Sequence, residues 1–324
     1  MRQIRLITIG VLALCLSPIA SAQQASTKLS EKVTQSAAID PAMRKQVDEF
    51  VKQAITNLND SDPMTVRMGR EMVVAAMTKQ QVNAAFRPAF AAVILPELKK
   101  VIATGSAFQA TNALEVVKAL QCPDSILLLS EQSALKNQSN PSVRLVAAGG
   151  LATLRTPIEL TTGQADGVLK TIGASAAKES DWMVAAYDLQ ALQAFSISPQ
   201  VPKASQGTAR TLLLTTLNMM VLQIRKGTTN PEMIRAVNRS LVIYMRDQVP
   251  VATPADVSAL MKSLEPTLKE IQNLASNPPN AEYSDAFKQA GKTADVVMKN
   301  FLGGSAGDKP ASTKPASTKP ASKK

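Results

Sequence analysis

The residues of this 324-residue chain that could do chemistry form few patterns, and one of them occurs twice. A serine is followed three residues later by a lysine at Ser133–Lys136 and again at Ser175–Lys178. In serine acyl-transfer enzymes the lysine of such a pair can activate the serine hydroxyl as a nucleophile. The Lys-Thr-Gly segment that completes this signature is absent, and a pattern with two free positions arises easily by chance. We therefore expect neither pair to be catalytic.

Other kinds of catalytic and ligand-binding chemistry find little support in the sequence. The chain contains no histidine, which excludes Ser-His-Asp catalysis, Cys-His catalysis and imidazole metal ligands. No phosphate-binding loop of the Gly-x-x-x-x-Gly-Lys-Ser/Thr or Gly-x-Gly-x-x-Gly kind occurs. Acidic residues are scattered without a converging cluster. The sequence therefore predicts no catalytic, cofactor-binding or metal-binding residues, no cofactor, and a protein that is not an enzyme.

Aromatic residues make up only 3% of the chain, which argues against sugar-stacking platforms and against single-strand nucleic-acid binding by base stacking. Trp182 and Tyr187 are two of the few that lie close together in the sequence. They could form a hot spot for a protein partner, since tryptophan and tyrosine are enriched at such positions. Because both fall within a predicted helix of the repeat described below, we expect them to be packing residues.

The N-terminus has the three parts of an export signal. Arg2 and Arg5 precede an apolar run at 6–16, and Ala20-Ser21-Ala22 supplies a small-x-small cleavage site. The run is shorter than the roughly 20 apolar residues that span a bilayer, which disfavours the alternative of an uncleaved anchor. We expect a signal peptide at 1–22, export to the periplasm or outside the cell, and no transmembrane segment after cleavage.

The chain has two cysteines, Cys15 in the signal and Cys122. Bacterial lipoprotein signals resemble Leu-x-Gly/Ala-Cys, and the leucine directly before Cys15 departs from that pattern, so a lipid anchor is not expected. After cleavage, Cys122 has no partner for an intramolecular disulfide. Its position before Pro123 at a predicted helix start indicates a small, buried apolar role rather than a reactive thiol.

The net charge of +11 is concentrated at the two ends of the chain. The signal holds two arginines and the segment from Lys309 onward holds five lysines, which leaves +4 on residues 23–308. That near-balanced body does not favour sequence-specific nucleic-acid binding. Residues 303–324 combine a Gly/Ser hinge with a repeated Lys-Pro-Ala-Ser-Thr unit, and we expect this tail to be disordered. It could be a spacer, or it could tether the protein to an anionic envelope polymer.

Residues 40–302 read as helices in series, preceded by a polar leader at 23–39 that we expect to be flexible. Asn140 and Pro141 form a typical start, an N-cap residue followed by proline at the first helical position. No stretch alternates with period two and no hairpin turn signal occurs, so the predicted fold class is all-α. The twelve predicted segments are 40–58, 62–77, 80–102, 106–120, 123–129, 140–154, 158–173, 182–192, 212–224, 230–245, 253–271 and 287–301.

The helices also repeat with a period near 40 residues. Residues that share a small-x-small-Leu core fall in register at separations of 40, 37 and 38: Val74, Leu114, Leu151 and Leu189. The segment 140–151 reads Asn-Pro-Ser-Val-Arg-Leu-Val-Ala-Ala-Gly-Gly-Leu. It resembles the second helix of a HEAT repeat, whose usual pattern is Asp-Pro-x-Val-Arg-x-x-Ala-Ala-x-Ala-Leu. Partial copies of that pattern begin at Asp62 and Asn230.

This resemblance to the HEAT-repeat, armadillo-like family implies stacked helical hairpins that form a curved α-solenoid over 40–302. Each hairpin is too small to bury its own apolar face, so neighbouring hairpins must stack to build a continuous core. In such an array Arg144 is expected to bridge adjacent repeats rather than to contact a ligand. The alternative is a compact, irregular helical bundle whose spacing is accidental.

An exported α-solenoid without catalytic residues is most consistent with a scaffold or adaptor that binds a protein or peptide on its surface. The sequence does not identify that partner. Two alternatives stay open. One is an enzyme of lyase type, by analogy of fold with the HEAT-like lyases that attach bilins to phycobiliproteins, although export separates this chain from those intracellular substrates. The other is an envelope-tethering protein that acts through its basic tail.

Overall fold

The computed structural model of the protein describes residues 28–78, 82–153, 159–247, 249–251 and 253–302. These residues form thirteen α-helices and no β-strand, which confirms the all-α prediction. The predicted signal peptide and basic tail lie outside the described residues. The helices are α1 (Glu31–Thr34), α2 (Pro41–Leu58), α3 (Pro63–Thr78), α4 (Phe86–Thr104), α5 (Ala107–Leu120), α6 (Pro123–Ser133), α7 (Pro141–Ala152), α8 (Thr162–Ala176), α9 (Trp182–Ile197), α10 (Lys203–Lys226), α11 (Ile234–Asp247), α12 (Pro254–Ser276) and α13 (Ser284–Phe301).

From α2 onward the helices pair into six hairpins that stack in chain order. The first helices of the hairpins, α2, α4, α6, α8, α10 and α12, each contact the next first helix along the chain. The second helices, α3, α5, α7, α9, α11 and α13, do the same on the other side. The result is a two-layer helical repeat fold, compatible with a solenoid, in which each hairpin buries its apolar face against its neighbours.

The helices begin where the sequence supplies capping side chains. Asp40 accepts a 2.7 Å hydrogen bond from the N–H of Met43, and Asn140 accepts one of 2.9 Å from Ser142. Both are followed by proline at the first helical position, where its missing N–H costs nothing. Starts without this signal were predicted less well. The helix expected at 158–173 begins at Thr162, after a capping box at Thr161, and the one expected at 212–224 begins nine residues earlier, at Lys203.

The helical register differs in detail from the predicted period. The four residues expected in register all lie on second helices, but Val74 is half-buried whereas its neighbour Val73 is buried in the core. A consistent register appears when positions are counted from the capping residues of α3, α5, α7 and α9. The residue eleven positions after each cap is buried in all four helices: Val73, Val117, Leu151 and Leu192. The period varies because the first helices and the loops differ in length.

The polar leader is shorter than predicted. Residues 28–39, which the sequence placed in a flexible leader, contain α1 and pack against the array. Leu29 and Val33 are buried in the main core. The carbonyl of Thr34 accepts a 2.9 Å hydrogen bond from the N–H of Asn83, in the loop before α4. Buried apolar side chains and hydrogen bonds to Asn83 thus hold this otherwise polar segment against the array.

None of the helices in the described ranges is long and apolar enough to cross a lipid bilayer.

Candidate functional site

The structure brings the two Ser-x-x-Lys pairs together, but their serines make structural hydrogen bonds. Ser175 Oγ donates to the carbonyl of Ser133 and accepts from the N–H of Leu135, each at 3.2 Å. Ser133 Oγ donates to the carbonyl of Ser130 at 3.1 Å. Both serines are buried. The Ser175 hydroxyl therefore joins α8 to the end of α6, and the Ser133 hydroxyl bonds within α6, so both serines have structural roles.

Cys122 is buried at the start of α6 and forms no disulfide with any residue that the structure describes. Burial is the main reason why the pKa of its thiol lies above the ordinary value of 9.0. A protonated, enclosed thiol is a poor nucleophile, in line with the apolar role predicted for this residue. Among the described residues no group of three or more cysteine and carboxylate side chains could hold a metal ion.

Arg144 of α7 bridges two hairpins, as the sequence predicted. Its Nε and Nη2 donate to the two carboxylate oxygens of Glu179, in the loop before α9, at 2.8 and 2.9 Å. Its Nη1 donates to the carbonyls of Gln138 and Ser139. Both members of this ion pair are buried, so the bidentate geometry and the additional hydrogen bonds are needed to offset desolvation. Two of its hydrogen bonds join the hairpins, and the other two hold the loop before α7 in its own hairpin.

Asp188 of α9 lies close to this ion pair and is completely buried. Neither oxygen of its carboxyl group has a hydrogen-bond partner among the described residues. Burial raises the pKa of Asp188 well above its ordinary value, and the nearby charge of Glu179 adds to this, while Arg144 opposes it. Burial therefore keeps the neutral acid favoured to a higher pH than for an exposed aspartate. No sequence signal identified this residue, because an aspartate on a helix usually faces solvent.

Exposed apolar side chains are concentrated on the second helices of the hairpins. Of the eight large apolar side chains that are exposed among the described residues, only Leu127 lies on a first helix. The others form what we call the second-helix face: Met64, Met68, Phe108, Met183, Ile197, Val242 and Val296. Exposed apolar groups that gather on one side of a protein are typical of interaction surfaces.

One row of this face follows directly from the helix starts. Met64, Phe108 and Met183 each occupy the second position after the capping residue of their helix. They are 60%, 38% and 43% exposed. Because α3, α5 and α9 start at the same end of the second-helix layer, these three side chains lie along one edge of it. A large apolar residue two positions after the helix cap is the sequence signal for this exposed row, and the sequence analysis did not use it.

Three arginine–aromatic contacts link neighbouring second helices on the same face. The guanidinium of Arg235 lies 5.7 Å from the ring centre of Trp182, and that of Arg239 lies 4.8 Å from Tyr187. At the other end of the layer, the guanidinium of Arg67 lies 5.8 Å from the ring of Phe108. In this geometry the ring attracts the cation and holds its planar group over the surface.

Trp182 and Tyr187 are half-buried, so the expectation that they are packing residues describes only part of their role. Each ring packs against the core on one side and lies beneath an exposed arginine on the other. A Cβ added to Gly149 of α7 would be 3.8 Å from the ring of Tyr187, an ordinary van der Waals distance, so the ring also lies next to α7. The second-helix face thus combines exposed apolar side chains with guanidinium groups held in fixed positions.

The comparisons with known proteins add little to this description. No family model matches the chain, and no curated protein matches it. One similar solved structure is described as "Computational Design of Self-Assembling Cyclic Protein Homooligomers". The two are 16% identical, and the match covers 84% of this chain and 98% of the other at a TM-score of 0.21. Similarity at that level supports no conclusion about the function of this chain.

Proposed function

We propose that this protein is an exported, non-enzymatic scaffold or adaptor that binds a protein or peptide on its second-helix face. The observation that carries the proposal is the uneven distribution of exposed apolar side chains, seven of which lie on second helices and one on a first helix. Apolar side chains that are exposed mainly on one layer are the kind of surface on which a partner can dock. Export is proposed from the signal sequence at 1–22.

We further propose that the hairpins are HEAT-type repeats. The support is the resemblance of 140–151 to the second helix of that repeat, together with the way Arg144 joins consecutive hairpins through Glu179. In a repeat array the buried residues are similar from one copy to the next, whereas the exposed residues differ and can contact partners. The exposed residues of the second-helix face differ between copies in both size and charge.

The chemistry of the face favours a particular kind of partner. Its apolar row would accept methyl-rich or aromatic side chains, and Arg67, Arg235 and Arg239 are exposed and could donate to carboxylates. A peptide or protein surface that alternates acidic and apolar side chains fits this arrangement. Arg235 also contacts Glu232 at 3.4 Å, an exposed ion pair that a partner carboxylate could replace at little cost.

The proposal is tested by capturing envelope proteins with the mature chain and with charge-reversed variants. Arg235→Glu with Arg239→Glu changes the second-helix face, and Lys203→Glu with Arg210→Glu makes the same change in charge on the first helix α10. We expect the wild type and the α10 variant to capture the same partner, and the face variant to lose it. Capture that the face variant retains, or that both variants lose equally, would contradict the proposal.

A further inference from the structure

A pocket of about 470 Å³ lies between the segment that follows α6 and the C-terminal half of α8. Both helices belong to the first layer, so this pocket is separate from the second-helix face. It is the place where the two Ser-x-x-Lys segments meet. The lining residues that matter for binding are Ala134, Leu135, Lys136, Lys170, Ala174 and Lys178.

The pocket carries three positive charges that nothing in the described part of the chain neutralises. Lys136, Lys170 and Lys178 are exposed, no acidic side chain lines the pocket, and none of the three forms an ion pair with a described residue. Asp166, one turn before Lys170, accepts a 2.7 Å hydrogen bond from Ser205 Oγ. Like charges gathered around one concave site raise the local concentration of anions.

The wall between these lysines is apolar. Ala134 is buried, while Leu135 and Ala174 present methyl groups to the pocket alongside the aliphatic stems of the lysines. Ser175 lies at the base, but its hydroxyl is occupied by the backbone of the segment after α6. The base therefore offers an apolar surface, and the charges lie at the rim.

We propose that this pocket binds a small amphiphilic anion, an alkyl chain that carries a single carboxylate head group. The alkyl chain would lie against Ala134, Leu135 and Ala174, and the carboxylate would accept hydrogen bonds from the three lysines. A pocket of this volume is in the range that holds small organic ligands. The chain's own basic tail does not fit as the occupant, because its lysines would be repelled by those of the pocket.

Calorimetric titration of the full mature chain with decanoate, below its micellar concentration, tests the proposal. We expect one decanoate per chain, with binding at least tenfold tighter than that of acetate, which lacks the alkyl chain, or decanol, which lacks the charge. No binding of decanoate would overturn the proposal, as would acetate or decanol binding equally well.

Matched variants locate the site. The triple change Lys136→Gln, Lys170→Gln, Lys178→Gln should weaken decanoate binding about tenfold, from the loss of three exposed charge contacts. Ala174→Trp should abolish binding by filling the pocket while the lysines stay in place. The control triple change is Lys45→Gln, Lys203→Gln, Lys262→Gln, which removes equally exposed lysines elsewhere and should have no effect. Equal weakening in the control, or undiminished binding in the first two variants, would overturn the assignment of this pocket.

Discussion

At the scale of single residues, two buried acids lie near Arg144, and only one of them, Glu179, forms an ion pair with it. Arg144 forms two hydrogen bonds with Glu179, whose Oε1 also accepts from the N–H groups of Ser180 and Asp181 at 2.9 Å. The carboxyl group of Asp188 lies nearby without a hydrogen bond to any described residue. A second carboxylate next to Glu179 would be both desolvated and repelled, which explains why the pKa of Asp188 lies well above its ordinary value.

The first prediction concerns the pH dependence of stability that Asp188 creates. Its raised pKa means that the folded state holds a proton that the unfolded state releases above the ordinary pKa of 3.8. The free energy of unfolding therefore falls as the pH rises from about 3.8 to the raised pKa, and is constant above it. Asp188→Asn removes the titration, so we expect a higher urea midpoint than the wild type at pH 7.5, and a smaller difference at pH 5. Urea unfolding at both pH values measures this.

Comparison of the two proteins at the same pH cancels the effect of other groups. The exposed Asp62 and the half-buried Asp247 have lowered pKa values, and their contribution is lost only in more acidic solution. If the wild type and Asp188→Asn had parallel pH profiles, Asp188 would not be the group that titrates.

The second prediction concerns the ion pair that joins the hairpins. Arg144→Met leaves the buried carboxylate of Glu179 without its cation, and we expect it to lower the free energy of unfolding by about 3–5 kcal/mol. Arg235→Met removes an exposed pair with Glu232 and should cost about 0–1 kcal/mol. Urea denaturation of the two variants gives the comparison. Equal losses would show that Arg144 contributes no more than a surface pair.

At the scale of helices, the contact between α2 and α3 requires a glycine. A Cβ on Gly69 of α3 would lie 2.8 Å from the carbonyl oxygen of Ala54 and 2.9 Å from the backbone nitrogen of Leu58, both on α2. Gly150 of α7 is under less constraint, because the nearest atoms are the methyl groups of the flexible Leu129 side chain, at 3.0 and 3.1 Å. The first hairpin therefore depends on its glycine more than the hairpin of the best-preserved repeat does.

The third prediction follows from this contact. Gly69→Ala must push α3 away from the backbone of α2, and we expect a loss of about 1–3 kcal/mol in thermal or urea unfolding. Gly207→Ala is the matched control, since that helical glycine has no atom within 4 Å of an added Cβ. It should stabilise the protein by about 0.5–1 kcal/mol, because alanine loses less backbone freedom on folding. A neutral Gly69→Ala would contradict the close packing of α2 and α3.

At the scale of the whole molecule, six hairpins and the short α1 share one continuous core. The apolar cluster extends from Leu29, before α1, to Val297 in α13. Because each hairpin is stabilised mainly by its neighbours, the contacts at the ends of the array decide how well it is protected. The segment with Leu29 and Val33 covers part of the first hairpin and is therefore part of the fold.

The fourth prediction tests that cover. Leu29→Ala removes a buried side chain and should lower the free energy of unfolding by about 2 kcal/mol. Lys32→Ala changes an exposed residue of the same short helix and should have little effect. If chemical denaturation found the two variants equally stable, residues 28–39 would be the flexible leader that the sequence indicated.

Local features of the fold could be predicted from the sequence, and features that depend on neighbouring hairpins could not. Asn140 and Pro141 mark a helix start by themselves, and the bridging role of Arg144 followed from a known repeat pattern. The contact of Arg235 with Trp182 could not be predicted, because it joins helices whose relative position is set by all the intervening packing. Asp188 was missed for the same reason, since its burial depends on neighbouring helices rather than on the pattern within α9.

The central claim, that the second-helix face binds a partner, is tested most directly by photo-crosslinking from single positions. A benzophenone side chain would replace Met183 on that face or Leu127 on the first helix α6, residues that are 43% and 37% exposed. In the cells that produce the protein, we predict one discrete crosslinked partner from position 183 and none from position 127. Crosslinking of the same partner from both positions, or from position 127 alone, would contradict the claim.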